Sequence, residues 1–374
     1  MFRSLFVVPG FVLALACAPA WGADDLVVGQ VAPLTGVNAS NGVPVMQGAR
    51  LYFDYLNASG GIHGRKVRFT VRDDAYKVDE TVRQARELID KDGALLLLTT
   101  LGTANNEALE REKVLGNAGI AMVGPRSGAS SLYGIPNVFP IRASYHDETR
   151  KIVRQLTTIG VSRIGVVMQN DSFGEDALEG IQLAMRDNLL ELTAESRFDR
   201  GSARMDKAVN DMLKADPQAI VLLAVTDPAV SFIKAYRARG GNSRIFCLSI
   251  VDPDSVVRGA GAEQARGVAM TVVVPSPGRV SLPLLREMHR AATQLKIKDF
   301  KPTLNSIEGY ITAKVAAEAL RRSGPRPDRA TVLRVLGTMP GVDVGGFTAR
   351  IRPNPNEDRY VDLAVIGPGG QLLQ

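Results

Sequence analysis

Apolar and polar positions alternate along this chain in blocks. Short apolar runs of strand length are each followed by a polar turn, and then by apolar residues spaced as on one face of a helix. Leu26 to Ala32 is the first run, Pro33-Leu34-Thr35-Gly36 turns out of it, and a helix is expected near Val45 to Asn57. Gly60-Gly61-Ile62-His63-Gly64 suits a sharp turn with positive φ. Val67 to Val71 alternates with charges and reads as a second strand ending at Asp73-Asp74. Val78, Val82, Ala85 and Ile89 share one helical face. Ala94 to Leu98 is unbroken and apolar, the signature of a strand buried on both faces, and a helix to about Leu115 and a strand at Ile120 to Val123 follow.

The rhythm then restarts. Strands are expected at Ile164–Met168, Thr193–Phe198, Ala219–Val225, Ile245–Ser249 and Val268–Val274, with helix faces marked by Leu178, Ile181 and Met185 and by Met205, Val209 and Met212. A further helix is expected from about Pro228 to Arg239. Later helices are expected at about 282–294, 305–322 and 328–338, before a last strand at Val361–Ile366. Strand and helix thus alternate twice, which implies an α/β chain of two doubly wound, parallel-sheet lobes meeting at Phe139 to His146. No short-period repeat or low-complexity tract interrupts it.

Composition narrows the class. The chain has 374 residues, 45% hydrophobic and 22% charged, enough for two globular cores. Its formal net charge of +6 is dispersed, so no basic run suits nucleic acid. Arg3, the apolar stretch Leu5 to Ala16 and the small residues Ala18 to Ala23 read as an export leader at 1–22, cleaved near Gly22–Ala23 or Ala20–Trp21. Cys17 raises lipidation, although Ala14-Leu15-Ala16 is a poor context for it. With the leader gone Cys247 stands alone, so no intrachain disulfide is expected.

Catalytic patterns are missing. His63, His146 and His289 share no close spacing, and there is no zinc motif, nucleophile elbow, P-loop or dinucleotide fingerprint. Asp73-Asp74 suits a strand end better than an acid/base pair, and nothing asks for a cofactor or metal. Binding chemistry is better supplied. Thr99, Thr100, Thr103 and Asn105 follow one strand and Ser127, Ser130 and Ser131 follow the next, at one edge of the first sheet. Hydroxyls and free N–H groups there suit a carboxylate. Arg126 and Arg142 could add charge-assisted bonds, but the structural ion pair is preferred for both. Phe173, Thr226 and Asp227 stand at matching turns of the second lobe, where Phe173 is either a ligand cover or a plug; Tyr133 and Tyr145 are weaker candidates.

The sequence resembles the type I periplasmic binding proteins of ABC importers, in the branched-chain amino acid (Leu/Ile/Val) binding family. The residues carrying this are Val31-Ala32-Pro33-Leu34-Thr35-Gly36, Gln47-Gly48-Ala49-Arg50, Asn57 to Arg65, Asp73-Asp74, Gly124-Pro125, Arg142-Ala143-Ser144-Tyr145, Asp171-Ser172-Phe173-Gly174 and Glu308-Gly309-Tyr310. The resemblance implies three hinge crossings, with lobe 1 at 24–143 and 275–343 and lobe 2 at 144–274 and 344–374. It places the ligand carboxylate at Gly102, Thr103, Ser127 and Gly128, and brings Asn41, Phe173, Thr226, Ser249 and Asp252 to the cleft. The implied protein is a periplasmic monomer that captures an amino acid or other small carboxylate by hinge closure, hands it to an inner-membrane ABC permease, and performs no catalysis. A ligand-sensing receptor component of the same fold is the alternative.

Departures from the family bear on the ligand. Where aliphatic-amino-acid binders place an acid for the ammonium, this chain has Ile250 or Val251, with Asp252 and Asp254 slightly later. A family tyrosine is Phe173 and a family aromatic is Asn41. The expected ligand is therefore a small carboxylate, an aromatic acid or an amide rather than leucine.

Overall fold

The computed structural model describes residues 25–351 and 359–374; the leader expected at 1–22, with Cys17, lies outside the described residues. The first lobe opens β1 (Leu26–Ala32), α1 (Ala39–Ala58), β2 (Val67–Asp73), α2 (Val78–Asp90), β3 (Leu96–Leu98), α3 (Thr103–Arg111), α4 (Val114–Ala118), β4 (Ala121–Val123) and β5 (Val138–Phe139). The second runs α5 (Tyr145–Thr158), β6 (Ile164–Asn170), α6 (Ser172–Arg186), β7 (Leu192–Asp199), α7 (Asp206–Ala215), β8 (Ala219–Leu223), α8 (Thr226–Ala238), β9 (Arg244–Cys247), α9 (Pro253–Ala260), α10 (Ala262–Ala265) and β10 (Ala269–Val272). Then come α11 (Pro283–Gln294), α12 (Leu304–Arg322), α13 (Arg329–Thr338), β11 (Val342–Asp343), β12 (Thr348–Ala349), β13 (Asp362–Ile366) and β14 (Leu372–Leu373).

The first sheet is parallel, in the order β2-β1-β3-β4-β5. The second has the order β14-β13-β10-β9-β8-β6-β7, parallel except that β13 and β14 run antiparallel. Counted within each lobe, the parallel strands of both sheets follow 2-1-3-4-5. In such a sheet the direction of winding reverses beside the first strand, opening a crevice at the strands' carboxyl ends. Each lobe therefore has one such crevice: after β1 and β3, and after β6 and β8.

The sequence pattern locates the central strands because all seven residues of β1, all three of β3 and all five of β8 are buried. The first helix differs. It begins at Ala39 rather than Val45, with Pro44 inside it. A proline within the opening turns removes a hydrogen bond and crowds the carbonyl four residues back, so the pattern alone favours a start beyond it. Here the early start puts Ser40 and Asn41 on a helix aimed at the second lobe. The two-residue strands β5, β11, β12 and β14 carry no readable periodicity; partners elsewhere in the chain make them strands.

The chain passes between the sheets three times: between Phe139 and Tyr145, Val272 and Pro283, and Ala349 and Asp362. Helices α11, α12 and α13 return to the first lobe, where α12 lies against α1. That approach needs two glycines. A Cβ at Gly48 would stand 1.9 Å from the Ser306 carbonyl oxygen, and one at Gly309 2.0 Å from that of Val45. Val344, Ala349 and Ile351 pack in the same core, so the boundary expected between 343 and 344 falls inside the β11–β12 turn. Another apolar cluster runs from Val31 and Leu97 through Tyr145 and Phe173 to Met168 and Val225, joining the lobes across the cleft.

Candidate functional site

A narrow cavity, with room for only about 10 Å³ of water-sized volume, lies between the lobes where the two crevices face each other. Asn38, Asn41, Tyr76, Gly102, Thr103 and Arg126 form its first-lobe wall. Phe173, Val225 and Ile250 form the facing wall, and Tyr145 lies at the hinge end.

The first-lobe wall is built from strained turns. Thr99, at the end of β3, has φ +46, and Ala75 and Tyr76, after β2, have φ +47 and +63. These left-handed conformations cost non-glycine residues on the order of 1–3 kcal/mol each and gather where a site over-determines the backbone. Gly102 has φ +93 and precedes α3, whose N-terminus has no side-chain cap. The leading N–H groups of α3 are therefore free to donate to an anion. Thr103 Oγ1 lies 2.8 Å from Ser127 Oγ, which also accepts from the Ala129 N–H at 3.2 Å. Burial pushes the Tyr76 phenol up to about 12, so it stays a neutral donor.

Of the residues expected at the cleft, Asn41, Gly102, Thr103 and Phe173 line the cavity, and the other five support it from behind. Ser127 holds Thr103. Gly128 lets the chain pass close to Tyr145, whose N–H donates to its carbonyl at 2.7 Å; a Cβ there would meet Tyr145 N at 2.8 Å. Thr226 accepts from Asn41 Nδ2 across the cleft at 3.0 Å. Ser249 donates to Glu148 through its N–H at 2.8 Å and its hydroxyl at 2.9 Å. Asp252 caps α9 through the Ser255 N–H at 2.8 Å and accepts from Asn305 Nδ2 at 3.3 Å. Thr99 is engaged by Gln30, and Asn105 by Thr81 and Arg200, so neither hydroxyl nor amide faces the cavity. Ser130 and Asp176 bond the two lobes at the rim.

Behind the cavity lies a buried group of four charges. Arg126 pairs with Glu308 and also donates to Asn305. Arg142, at the first hinge crossing, stands 3.7 Å from Glu308 and 3.5 Å from Glu148, and donates to Ser249. Both arginines are 2% exposed and Glu148 is 0% exposed. Burial raises the Glu148 carboxyl despite Arg142 beside it, and lowers the Arg126 guanidinium despite Glu308. Burial also opposes the charge on Arg142, but Glu308 and Glu148 outweigh it and hold that guanidinium above its ordinary value. The ion-pair reading of both arginines is what the structure has, yet Arg126 also reaches the cavity wall. Its Nε has no partner among the described residues. Among the described residues no group of three or more His, Cys, Asp or Glu side chains is placed to hold a metal.

The profile of the periplasmic binding protein family matches residues 25–367. The chain belongs to that family. It is 43% identical to a substrate-binding periplasmic protein of Ralstonia solanacearum, whose crystal structure superposes with a TM-score of 0.90 over 94% of this chain and all of that one. An amino acid binding protein of Pseudomonas aeruginosa is 26% identical over 70% of this chain and 71% of its own length. A branched-chain amino acid ABC transporter protein of Thermus thermophilus, solved with valine, shares the fold: TM-score 0.81, 18% identity, 94% of this chain and 95% of that one. Two parallel-sheet lobes with a cleft between them are the type I architecture, and ligand binding is the role of this family.

Tyr76, Asn38 and Val225 line the cavity but were not among the residues expected there, whereas Ile250 lines it at the position the resemblance implied for the ammonium partner. Tyr76 and Val225 were within reach of sequence reasoning, because each follows a strand of the pattern and carboxyl-end turns of one sheet share an edge. Asn38 carries no local signal; it precedes α1, whose start ahead of Pro44 the pattern does not reveal.

Proposed function

We propose that this chain is the solute-binding component of an ABC importer, exported to the periplasm by the leader at 1–22. On this reading it captures an amino acid or other small carboxylate between the lobes by hinge closure, without turning it over. It works as a monomer and presents its closed surface to an inner-membrane permease. The observation that carries the reading is the double crevice: the carboxyl edges of two like-ordered sheets face one another across a cavity walled by Thr103 and Arg126 on one side and Phe173 on the other. The names of the relatives agree, one being an amino acid binding protein and another a branched-chain amino acid ABC transporter protein solved with valine.

A thermal-shift screen over amino acids, aromatic acids, dicarboxylates and amides tests it. A ligand at about a hundred times its Kd adds roughly 2.7 kcal/mol to the native state and raises Tm. One carboxylate-bearing class should do so. No shift from any class, or conversion of a binding ligand seen by mass spectrometry, overturns the reading.

A further inference from the structure

The one charged side chain on the lining of the cavity, Arg126, is a donor, and no carboxylate lines it. The N-terminus of α3 carries no side-chain cap. Arg126 lines the cavity, is 2% exposed, and has an Nε with no partner among the described residues. The carboxylates nearby are turned elsewhere. Glu308 lies against Arg126 and Arg142, Asp252 accepts from the Ser255 N–H and from Asn305, and Asp171 accepts from the Phe173 and Gly174 N–H groups. None of the three lines the cavity. The amide oxygens on the wall are engaged as well: Asn38 Oδ1 accepts from Asn41 Nδ2 at 2.7 Å, and Asn41 Oδ1 from Asn305 Nδ2 at 3.1 Å. The remaining walls are the rings of Tyr76, Tyr145 and Phe173 and the aliphatic Val225 and Ile250.

Resting on the small-carboxylate reading above, we infer that the ligand is a small carboxylate anion without an α-ammonium group, carrying a flat or aliphatic body. Its carboxylate takes the α3 N–H groups, the Thr103 hydroxyl and Arg126, and its body lies against Phe173 and Ile250. A zwitterionic amino acid would place its ammonium beside a guanidinium and the positive end of a helix, with no carboxylate on the lining to receive it.

Titration calorimetry on the mature protein tests this with matched compounds: 3-phenylpropanoate against phenylalanine, 4-methylpentanoate against leucine, and 3-phenylpropanamide as the uncharged partner of the first. The acid lacking the ammonium should bind at least about tenfold more tightly than its amino acid and than its amide. An amino acid binding as well as or better than its deaminated partner overturns the inference while leaving the small-carboxylate reading intact, and so does an amide that equals its acid. If neither series binds, that reading falls and the inference with it. Ile250→Asp, which puts an acid on the apolar wall, should move the ratio of the two affinities toward the amino acid by about tenfold. A folded variant with an unmoved ratio counts against the inference.

Discussion

The two walls of the cleft are made from the same sheet order but present opposite chemistry. In the first lobe α3 opens without a side-chain cap behind Gly102, which lines the cavity together with Thr103. In the second lobe Asp171 caps α6 and Asp252 caps α9, whereas α8, behind Val225, opens as α3 does without a side-chain cap. What the second lobe turns to the cavity is Phe173, Val225 and Ile250. One lobe grips and the other covers. Equal topology therefore does not mean equal function: each lobe brings an uncapped helix end to the cleft, and the side chains around it, polar in the first lobe and apolar in the second, set the two walls apart.

Breaking the polar wall should have the largest effect. Arg126→Met leaves Glu308 with only Arg142, at 3.7 Å, and should cost about 3–5 kcal/mol in urea unfolding. Adding Glu308→Gln should recover a good part of that loss; no recovery would mean that packing, not charge, sets it. Thr103→Val keeps the size of the side chain but removes the hydroxyl, and should weaken ligand binding by on the order of 1–3 kcal/mol with little change in stability. An unchanged affinity in calorimetry would take Thr103 out of the site. The covering wall should respond differently. Asp171→Ala uncaps α6 and should lower stability by about 1 kcal/mol in the same unfolding experiment, making the second lobe more like the first at this one helix end.

The smallest effect concerns acid. Burial is the largest single influence on Asp73 at the end of β2 and disfavours its charge, but bonds from the Thr35 hydroxyl and the Ala75, Leu34 and Thr35 N–H groups together outweigh it, so its carboxyl is held below its ordinary 3.8. The native state then binds fewer protons than the unfolded one. The stabilisation is present above that pH and is lost as pH falls toward the lowered value. Asp73→Asn should therefore show a shallower fall in Tm between about pH 5 and pH 3 than the parent protein. Identical slopes would remove Asp73 from the acid response.

Much of the fold was legible in the chain because its central strands are buried on both faces. Leu26–Ala32 and Ala219–Leu223 must be apolar throughout wherever they occur, and such runs stand out. The site was legible in part, for a related reason. Gly102, Thr103 and Phe173 follow strands immediately, and a strand's carboxyl end is a place that can be read from sequence. Residues whose roles come from distant partners could not be read in this way. Asn305 meets Asn41, Arg126 and Asp252 only after α12 has returned to the first lobe and the lobes have come together.

By itself, then, the sequence determined two α/β lobes, their order of strands and helices, and the polar turns after them, because burial pattern and turn chemistry are local properties. Tertiary structure decided which turns face each other, that α1 starts at Ala39 despite Pro44, and that Arg126 has both a glutamate and an open cavity beside it. Those outcomes depend on contacts between residues up to 264 positions apart, such as Asn41 with Asn305, and no local pattern encodes such a distance.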